Sequence, residues 1–359
     1  MLPDWRTRMI IPSRYKYSGQ SIDGGMGEVR ICTDQHLDRK VVFKIIKNNK
    51  DDRRLLDEQK ALLQLRSKHV VQLYDIVKVE EKNETKQALV LEYIDGKELT
   101  FGALEINLHY VTLLWQIACG LSEIHSAGII HRDIKPSNIK LDSSNIIKIL
   151  DFGLSRNSGI DAHTISAIGT PIFMAPELWK KKLVSFDQAI DIYAFGVTAL
   201  CLLKDSKAPS QLTNFPPQAI IPGTLEKYFK GLQPELISLI EKCLSYNPTE
   251  RPDSQTIEKT FRKHLLQGKH RALLVAAGKT YELHENSLNA NITIGTSGSI
   301  GINYNGTQFL VTSKSGNVTI NNKPFDIGAE LPSCCVITFI GANSRHFITF
   351  DVSNPEVLP

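Results

Sequence analysis

The sequence predicts an α+β fold in three consecutive parts: a small strand-rich region, a larger helical region and a small all-β sandwich. Apolar runs at Val41–Ile46 and Ala88–Leu91 are typical of buried strands. Helical periodicity dominates from about Tyr110 to Leu266. After Gly268, short β-type runs alternate with turns rich in Asn, Gly and Ser, which is typical of a sandwich.

The strand-rich and helical regions contain five predicted helices. Arg53–Arg66 carries leucines with charged residues between them, which predicts an amphipathic helix between the two buried strands. The other four helices are predicted at 110–127, 187–203, 233–244 and 254–266.

The sandwich is predicted from repeated β-type runs near the end of the chain. The change of pattern near residue 270 separates two predicted domains, 13–266 and 271–353, after a leader of residues 1–12. The runs lie at Ile292–Ile294, Phe309–Thr312, Val318–Ile320, Val336–Ile340 and Phe347–Phe350.

Composition and charge argue against several classes of protein. Hydrophobic residues make up 42% and charged residues 22% of the chain, as in ordinary globular proteins. The net charge of +4 includes no basic block, which argues against nucleic acid as the main partner. The most apolar stretch, Ile192–Leu203, is shorter than the about 20 residues that span a bilayer. The 6 cysteines show no zinc-site spacing, and we expect a cytoplasmic protein without a membrane span.

A glycine cluster lies between the first two predicted strands. Glycines let backbone N–H groups approach a phosphate without a Cβ in the way, although such a cluster alone is more often a turn. Lys44 on the next strand would contact the phosphates, and Glu58 in the following helix would hold Lys44 as an ion pair. Taken alone, either residue is more often solvated. The predicted phosphate cover comprises Ile22, Asp23, Gly24, Gly25, Met26, Gly27, Glu28 and Val29.

The segment His131–Asn138 is the most specific signal in the sequence. Asp133 is placed to orient or accept the proton of an attacking hydroxyl. Lys135 would lie on the transferring phosphate, and Asn138 would hold a metal ion. Asp151, in Asp-Phe-Gly after a predicted strand, supplies the main metal-binding carboxylate. Mg²⁺ is expected because it favours oxygen ligands and substrate phosphates, with Mn²⁺ as the alternative.

These residues together resemble the eukaryotic-like (Hanks-type) serine/threonine protein kinases, especially the bacterial branch, with a bacterial or phage source expected. The resemblance covers roughly residues 13–266 and implies a bilobal kinase fold with ATP in the cleft. It implies that Leu91 is the gatekeeper, that Glu92–Ile94 is the hinge that binds adenine, and that Glu98 reaches the ribose. Asp191 would brace the backbone of the catalytic loop.

The resemblance also implies a protein acceptor. Lys135 accompanies serine/threonine specificity, and Thr170 is placed to contact Asp133 and Lys135. Glu177 and Arg251 are expected to form a buried structural ion pair, with two unrelated surface charges as the alternative. Three other functions stay open: a tyrosine or dual-specificity kinase, a pseudokinase scaffold that acts through the β-domain, and a small-molecule kinase.

Regulation is expected from Arg132, which immediately precedes the catalytic aspartate. An arginine at this place in the family usually needs an anionic partner, and a phosphate offers charge-assisted bidentate bonds. Thr164 and Ser166 match the family's phosphorylation positions, with an unmodified polar loop as the alternative. We therefore expect activation by autophosphorylation, with a homodimer as the arrangement for phosphorylation in trans.

Three positions of the nucleotide site depart from the family pattern. Ile22 replaces the first glycine of the phosphate loop, and Val42 replaces the alanine before the strand lysine. Lys140 replaces the apolar residue beneath adenine, where its methylenes can lie under the ring while the ammonium reaches solvent. We expect Val42 to narrow the pocket and ATP affinity to be weakened.

Residues 271–353 resemble a degenerate forkhead-associated domain, a β-sandwich that binds phosphothreonine peptides. The resemblance rests on Ile292–Gly295, Gly316–Asn321 and the last β-type run. Thr296 stands where the family has a phosphate-binding arginine, so the bidentate donor is missing. We expect a structural or docking sandwich that contacts a protein partner or the kinase domain, rather than a phosphothreonine reader.

Overall fold

The described residues of the computed structural model form two compact units, with the boundary between Phe261 and Arg262. This boundary lies close to the change of sequence pattern near residue 270. The structure describes residues 10–24, 27–45, 52–81, 84–152, 156–157, 163–164, 171–179, 184–185, 187–204, 208–276, 278–353 and 355–357.

A five-stranded antiparallel sheet opens the first unit, in the order β1-β2-β3-β5-β4. The side-chain period of two places Val41, Phe43 and Ile45 on one buried face, where Phe43 contacts the ring of Tyr15 edge-on at 5.0 Å. Lys44 therefore points to the opposite face, which faces the cavity described below. The strands are β1 (Tyr15–Gly24), β2 (Gly27–Asp34), β3 (Arg39–Ile45), β4 (Leu73–Glu81) and β5 (Glu84–Glu92), with helix α1 (Asp52–Gln64) between β3 and β4.

Helices dominate the rest of the first unit. Asn107 caps the longest helix by accepting a hydrogen bond from the backbone N–H of Tyr110 at 3.0 Å. The next long helix, Ala189–Leu202, has mostly apolar side chains on all its sides, and nearly every one of its residues is buried. Within the described part of the chain, no helix is both long and apolar enough to cross a membrane. The helices are α2 (Leu108–Ser126), α3 (Ala189–Leu202), α4 (Ser210–Thr213), α5 (Pro234–Cys243) and α6 (Ser254–Leu265).

Short strands position residues 131–138, the predicted catalytic segment. This segment connects the second and third of these strands, and the strand after them ends two residues before Asp151. The sequence predicted this last strand, at Ile146–Leu150. It did not predict the other two strands of the same three-stranded sheet. The short strands are β6 (Gly96–Glu98), β7 (Ile129–Ile130), β8 (Ile139–Asp142), β9 (Ile147–Ile149), β10 (Arg156–Asn157), β11 (His163–Thr164) and β12 (Val184–Ser185).

Beyond the end of α6, the second unit consists of a seven-stranded sheet in the order β14-β13-β19-β18-β17-β16-β15. The sequence missed β13, β14 and β16, and it divided β17 into two runs. The strands are β13 (Arg271–Ala276), β14 (Lys279–Leu283), β15 (Asn289–Ile294), β16 (Gly298–Tyr304), β17 (Phe309–Ile320), β18 (Cys334–Ile340) and β19 (Arg345–Ser353).

One hydrophobic core serves all seven strands of the second unit. Strand β17 pairs with β16 through Phe309–Gly316 and with β18 through Asn317–Ile320, so it changes its neighbour midway. Buried residues from both ends of the sheet belong to the same cluster, which requires the sheet to fold over itself. The ring of Tyr304 stacks on Phe309 at 4.6 Å, and Phe309 meets Phe350 edge-on at 5.4 Å.

Two isoleucines of the second unit offer a matched test of this core. Ile337 is fully buried in β18, whereas Ile327 is 65% exposed in a turn. We expect Ile337→Ala to lower the free energy of unfolding of this unit by about 2–5 kcal/mol, because it leaves a cavity. Ile327→Ala is expected to change it by less than about 0.5 kcal/mol.

Hydrogen exchange of the β18 and β19 amides, followed by mass spectrometry, measures this difference. Tryptophan fluorescence does not report on this unit, because Trp5, Trp115 and Trp179 all precede residue 262. Equal exchange rates in the two variants would contradict the assignment of Ile337 to the core.

Candidate active site

A cavity of about 580 Å³ lies beside β3 and the catalytic segment, and its size is that of a typical small-molecule site. One part of its wall is apolar and another carries charged and amide side chains. It brings together thirteen residues predicted from the sequence: Val29, Val42, Lys44, Glu58, Leu91, Glu92, Ile94, Glu98, Asp133, Lys135, Asn138, Lys140 and Asp151.

Lys44 joins two carboxylates from distant parts of the chain. Its Nζ lies 2.8 Å from a carboxylate oxygen of Glu58 in α1 and 2.8 Å from Oδ1 of Asp151 after β9. Burial alone would lower the pKa of Lys44, but the two neighbouring carboxylates outweigh burial and raise it. Lys44 is therefore a fixed cation, and the predicted ion pair with Glu58 is present in the structure.

The catalytic segment holds Asp133 by both of its carboxylate oxygens. Lys135 Nζ donates to Oδ1 at 2.9 Å and to Oδ2 at 2.7 Å. Asn138 Nδ2 donates to Oδ2 at 2.8 Å and to the Asp133 carbonyl oxygen at 2.9 Å. These bonds fix the Asp133 side chain, 5% exposed, at the wall of the cavity.

The backbone of the same segment is held by Asp191 at the start of α3. Its carboxylate accepts the N–H of His131 at 2.8 Å and the N–H of Arg132 at 2.7 Å. A ring nitrogen of His125 lies 3.0 Å from the same carboxylate. Burial alone would raise the pKa of Asp191, but the hydrogen bond from His125 and the other donors lower it.

His131 connects the catalytic segment to the residues around Asp151. Its Nε2 lies 2.9 Å from the carbonyl oxygen of Leu150, and its ring contacts Phe152 edge-on at 4.7 Å. The backbone of Asp151 has φ 62°, a left-handed conformation that is unfavourable for a residue with a Cβ. These contacts fix the place at which the Asp151 carboxylate enters the cavity.

Sequence reasoning missed an ion pair behind the hinge. Lys148 of β9, 8% exposed, places its Nζ 2.8 Å from Glu92 Oε1. Glu92 Oε2 also accepts the backbone N–H of Gln72 at 3.1 Å. The side chain of Glu92 thus joins the predicted hinge to β9 and to the residue that precedes β4. In β9, Lys148 stands between the apolar Ile147 and Ile149, so its side chain lies on the opposite face of the strand. This alternation was the signal available in the sequence.

Lys140 and Glu98 lie directly opposite each other in the pairing of β6 with β8. Both line the cavity, so the position that the resemblance assigns to an apolar residue carries a cation beside an anion. Directly opposed positions bring Cβ atoms to about 5 Å, within reach of an electrostatic interaction. Val42 and Leu91 are also cross-strand neighbours, and they form part of the apolar wall.

Arg251 and Glu177 form the predicted ion pair. The guanidinium donates to the two carboxylate oxygens at 2.6 Å and 2.8 Å, a bidentate arrangement. It also donates to the carbonyl oxygens of Ser245 at 2.9 Å and Ala189 at 2.9 Å. The pair joins the segment around Glu177 to α3 and to the residues just after α5, which agrees with a structural role.

Several predicted residues lie outside the described part of the structure. The backbone of β1, β2 and β11 is described, but the side chains named here are not. They are Ile22, Asp23, Gly24, Gly25, Met26, Gly27, Glu28, Thr164, Ser166 and Thr170.

The residues present fit a nucleotide and a divalent cation. Asn138 uses its Nδ2 group on Asp133, which leaves its carbonyl oxygen for another partner, and Asp151 adds a carboxylate at the same wall. Oxygen donors of this kind are those that Mg²⁺ prefers, while substrate phosphates complete its shell. Among the described residues, no cluster of three or more His, Cys, Asp or Glu side chains forms an all-protein metal site.

Several known proteins of similar sequence are named as serine/threonine-protein kinases. Serine/threonine-protein kinase pkn3 of Myxococcus xanthus is 30% identical over 271 residues, 67% of this chain and 48% of that protein. Serine/threonine-protein kinase ssp1 of Schizosaccharomyces pombe is 39% identical over 149 residues, 38% of this chain and 22% of that protein. Serine/threonine-protein kinases drp72 of Corynebacterium efficiens is 34% identical over 193 residues, 50% of this chain and 36% of that protein.

The chain spans about half or less of the length of these relatives. The family model for the protein kinase domain matches residues 19–262, which include every residue of the cavity described above. The chain therefore belongs to the protein kinase family.

Proposed function

We propose that the chain transfers the γ-phosphate of ATP to serine or threonine hydroxyls of protein substrates. One observation carries this proposal: the fixed Asp133 carboxylate lines the same cavity as the Lys44–Asp151 pair. Phosphoryl transfer depends mostly on positioning and on neutralised charge, and this cavity supplies both. The presence of Lys44, Asp133, Asn138 and Asp151 in the sequence argues against a pseudokinase.

Each side chain of the cavity has a distinct role in this reaction. Lys44 binds the phosphates, and Asp133 orients the acceptor hydroxyl and takes its proton as the new P–O bond forms and ADP leaves. Lys135 places a positive charge beside the reacting oxygen, since its ammonium already contacts Asp133. Bound Mg²⁺, held by Asn138 and Asp151, would neutralise charge on the phosphate oxygens.

The acceptor of the phosphate is part of the same proposal. Lys135 and the similarity to bacterial proteins named as serine/threonine-protein kinases support a serine/threonine acceptor, with tyrosine or dual specificity as the alternative. We further propose a bilobal arrangement, a cytoplasmic location, a bacterial or phage source, and a forkhead-associated-like docking role for residues 271–353.

Replacing Asp133 tests the proposed base. We expect Asp133→Asn to lower incorporation of radiolabelled phosphate from ATP by at least about 100-fold, because the amide cannot take the hydroxyl proton. ATP binding, measured by calorimetry, should persist. The same change at Asp326, an exposed aspartate of the second unit, is the matched control and should leave labelling unchanged. Equal labelling by Asp133→Asn and wild type would remove Asp133 from the mechanism.

Replacing Lys140 tests the altered adenine site. We expect Lys140→Leu to strengthen ATP binding about fivefold, because about 1 kcal/mol of apolar contact with the base is gained. Lys97→Leu is the matched control, since Lys97 is exposed on the adjacent strand β6 and lies outside the cavity lining. Calorimetric titration with ATP measures both. Weaker ATP binding by Lys140→Leu would show that the lysine itself holds the nucleotide.

Regulation by phosphorylation is tested by mapping modified residues. We expect ATP-treated protein to carry phosphate at Thr164 or Ser166, because an added phosphate gives Arg132 a charge-assisted partner. Mass spectrometry of the wild type, beside Asp133→Asn purified in the same way, separates autophosphorylation from modification by the host. Absence of phosphate from both residues in active wild-type protein would contradict this part of the proposal.

A further inference from the structure

The outer face of β13, β19 and β18 carries an exposed apolar patch. Four large side chains of these strands are exposed: Leu273 46%, Val275 53%, Val336 36% and Phe347 63%. The strand pairing places them together, since Leu273 lies opposite Asp351 and Val336 lies opposite Thr349. We call the surface formed by Leu273, Val275, Val336, Phe347, Thr349, Arg345 and Asp351 the outer patch.

This concentration of apolar side chains is not a general property of the second unit. The outward positions of β15 and β16, on the other half of the same sheet, carry the polar residues Asn289, Asn291, Ser299 and Asn303. Exposed apolar patches bounded by polar residues commonly mark interaction sites. The outer patch therefore has the chemistry of an interface, while the opposite half has that of a solvated surface.

Charge is arranged along the outer patch in a self-complementary order. The outward residues of β19 run Arg345, Phe347, Thr349, Asp351: a cation, an apolar centre and an anion. Arg345 and Asp351 are both exposed, at the two ends of this row. A hollow of about 340 Å³ adjoins Asp351 and is lined by two acids, Glu282 and Asp351, and by Arg271.

We propose that the outer patch binds the outer patch of a second copy of this chain, in a two-fold symmetric dimer. Two sheets that pack face to face admit an in-plane two-fold axis either along the strands or across them. An axis along β19 would place Arg345 on Arg345 and Asp351 on Asp351. An axis across β19, between Phe347 and Thr349, places each Arg345 on the Asp351 of the other copy. The order of charges selects the second arrangement.

The size of the patch predicts a weak dimer. With a polar rim on the flanking strands β14 and β17, the interface spans five strands at about 4.8 Å spacing and seven residues of β19 at about 3.4 Å, a footprint of about 570 Å² per copy. Two copies bury about 1,100 Å², which is near the lower limit of specific interfaces. The rim charges contribute specificity rather than most of the affinity, so the dimer is expected to weaken at high salt.

This inference is independent of catalysis, and sedimentation velocity of the full chain tests it. We expect a reversible monomer–dimer equilibrium between about 1 and 100 µM. Asp351→Arg sets like charges against each other twice by symmetry, and Arg345→Asp does the same, so each should weaken dimerisation at least about tenfold. The double exchange, Arg345→Asp with Asp351→Arg, should restore it to within about threefold of wild type.

Control variants separate lost dimerisation from lost folding. Asp326→Arg makes the same charge change at an exposed turn of the second unit and should leave the equilibrium unchanged. Hydrogen exchange of the buried β18 amides reports whether each variant is folded. A monomeric wild type at all concentrations would overturn the proposal and leave the patch to another partner. A dimer that is unaffected by the single changes, or a folded double exchange that stays monomeric, would also overturn it.

Discussion

The active site depends on one buried carboxylate, that of Asp191. It accepts two consecutive backbone N–H groups, of His131 and Arg132, which a peptide can offer only when it turns sharply. Arg132 accordingly has φ 72°, a left-handed conformation that costs about 1–2 kcal/mol for a residue with a Cβ. Two charge-assisted hydrogen bonds offset that cost. The next residue in the chain is Asp133, so the turn also fixes the position of the carboxylate that we propose as the base.

The charges of the cavity explain why a cation is needed in addition to the protein. Five carboxylates line it, whereas Lys44, Lys135 and Lys140 supply three ammonium groups. A nucleoside triphosphate adds further negative charge at the same place. Its binding therefore requires positive charge beyond that of these lysines, which is the chemical role of a divalent cation.

The catalytic segment could be predicted from the sequence because its functional residues are close together in the chain. Asp133, Lys135 and Asn138 meet within one turn of backbone, and no knowledge of tertiary structure is needed to place them. The ion pair of Lys148 with Glu92 was missed because it joins strands that are distant in sequence and Lys148 belongs to no local motif. Its position follows from strand register, which alternation alone does not supply.

The same limit explains what the sequence missed in the second unit. Phe309–Thr312 and Val318–Ile320 were predicted as separate strands because the polar residues between them break the apolar alternation. In the structure they form one strand, β17, whose pairing partner changes at Gly316, with φ 73°. A Cβ at Gly316 would meet the carbonyl oxygen of Ser297 at 2.6 Å, so the crossing requires glycine. The polar residues between the two runs thus mark the point at which β17 leaves one half of the sheet and joins the other.

The surface of the second unit favours binding by shape and apolar contact over binding of phosphate. At the turn after β15, Gly295 and Thr296 offer N–H groups and a hydroxyl, but no guanidinium. Phosphate recognition without arginine loses both the charge and the bidentate geometry that make it strong. The outer patch, in contrast, combines apolar area with opposite charges at its two ends. An interaction through the outer face of the sheet needs no phosphate, and it therefore does not depend on prior phosphorylation of a partner.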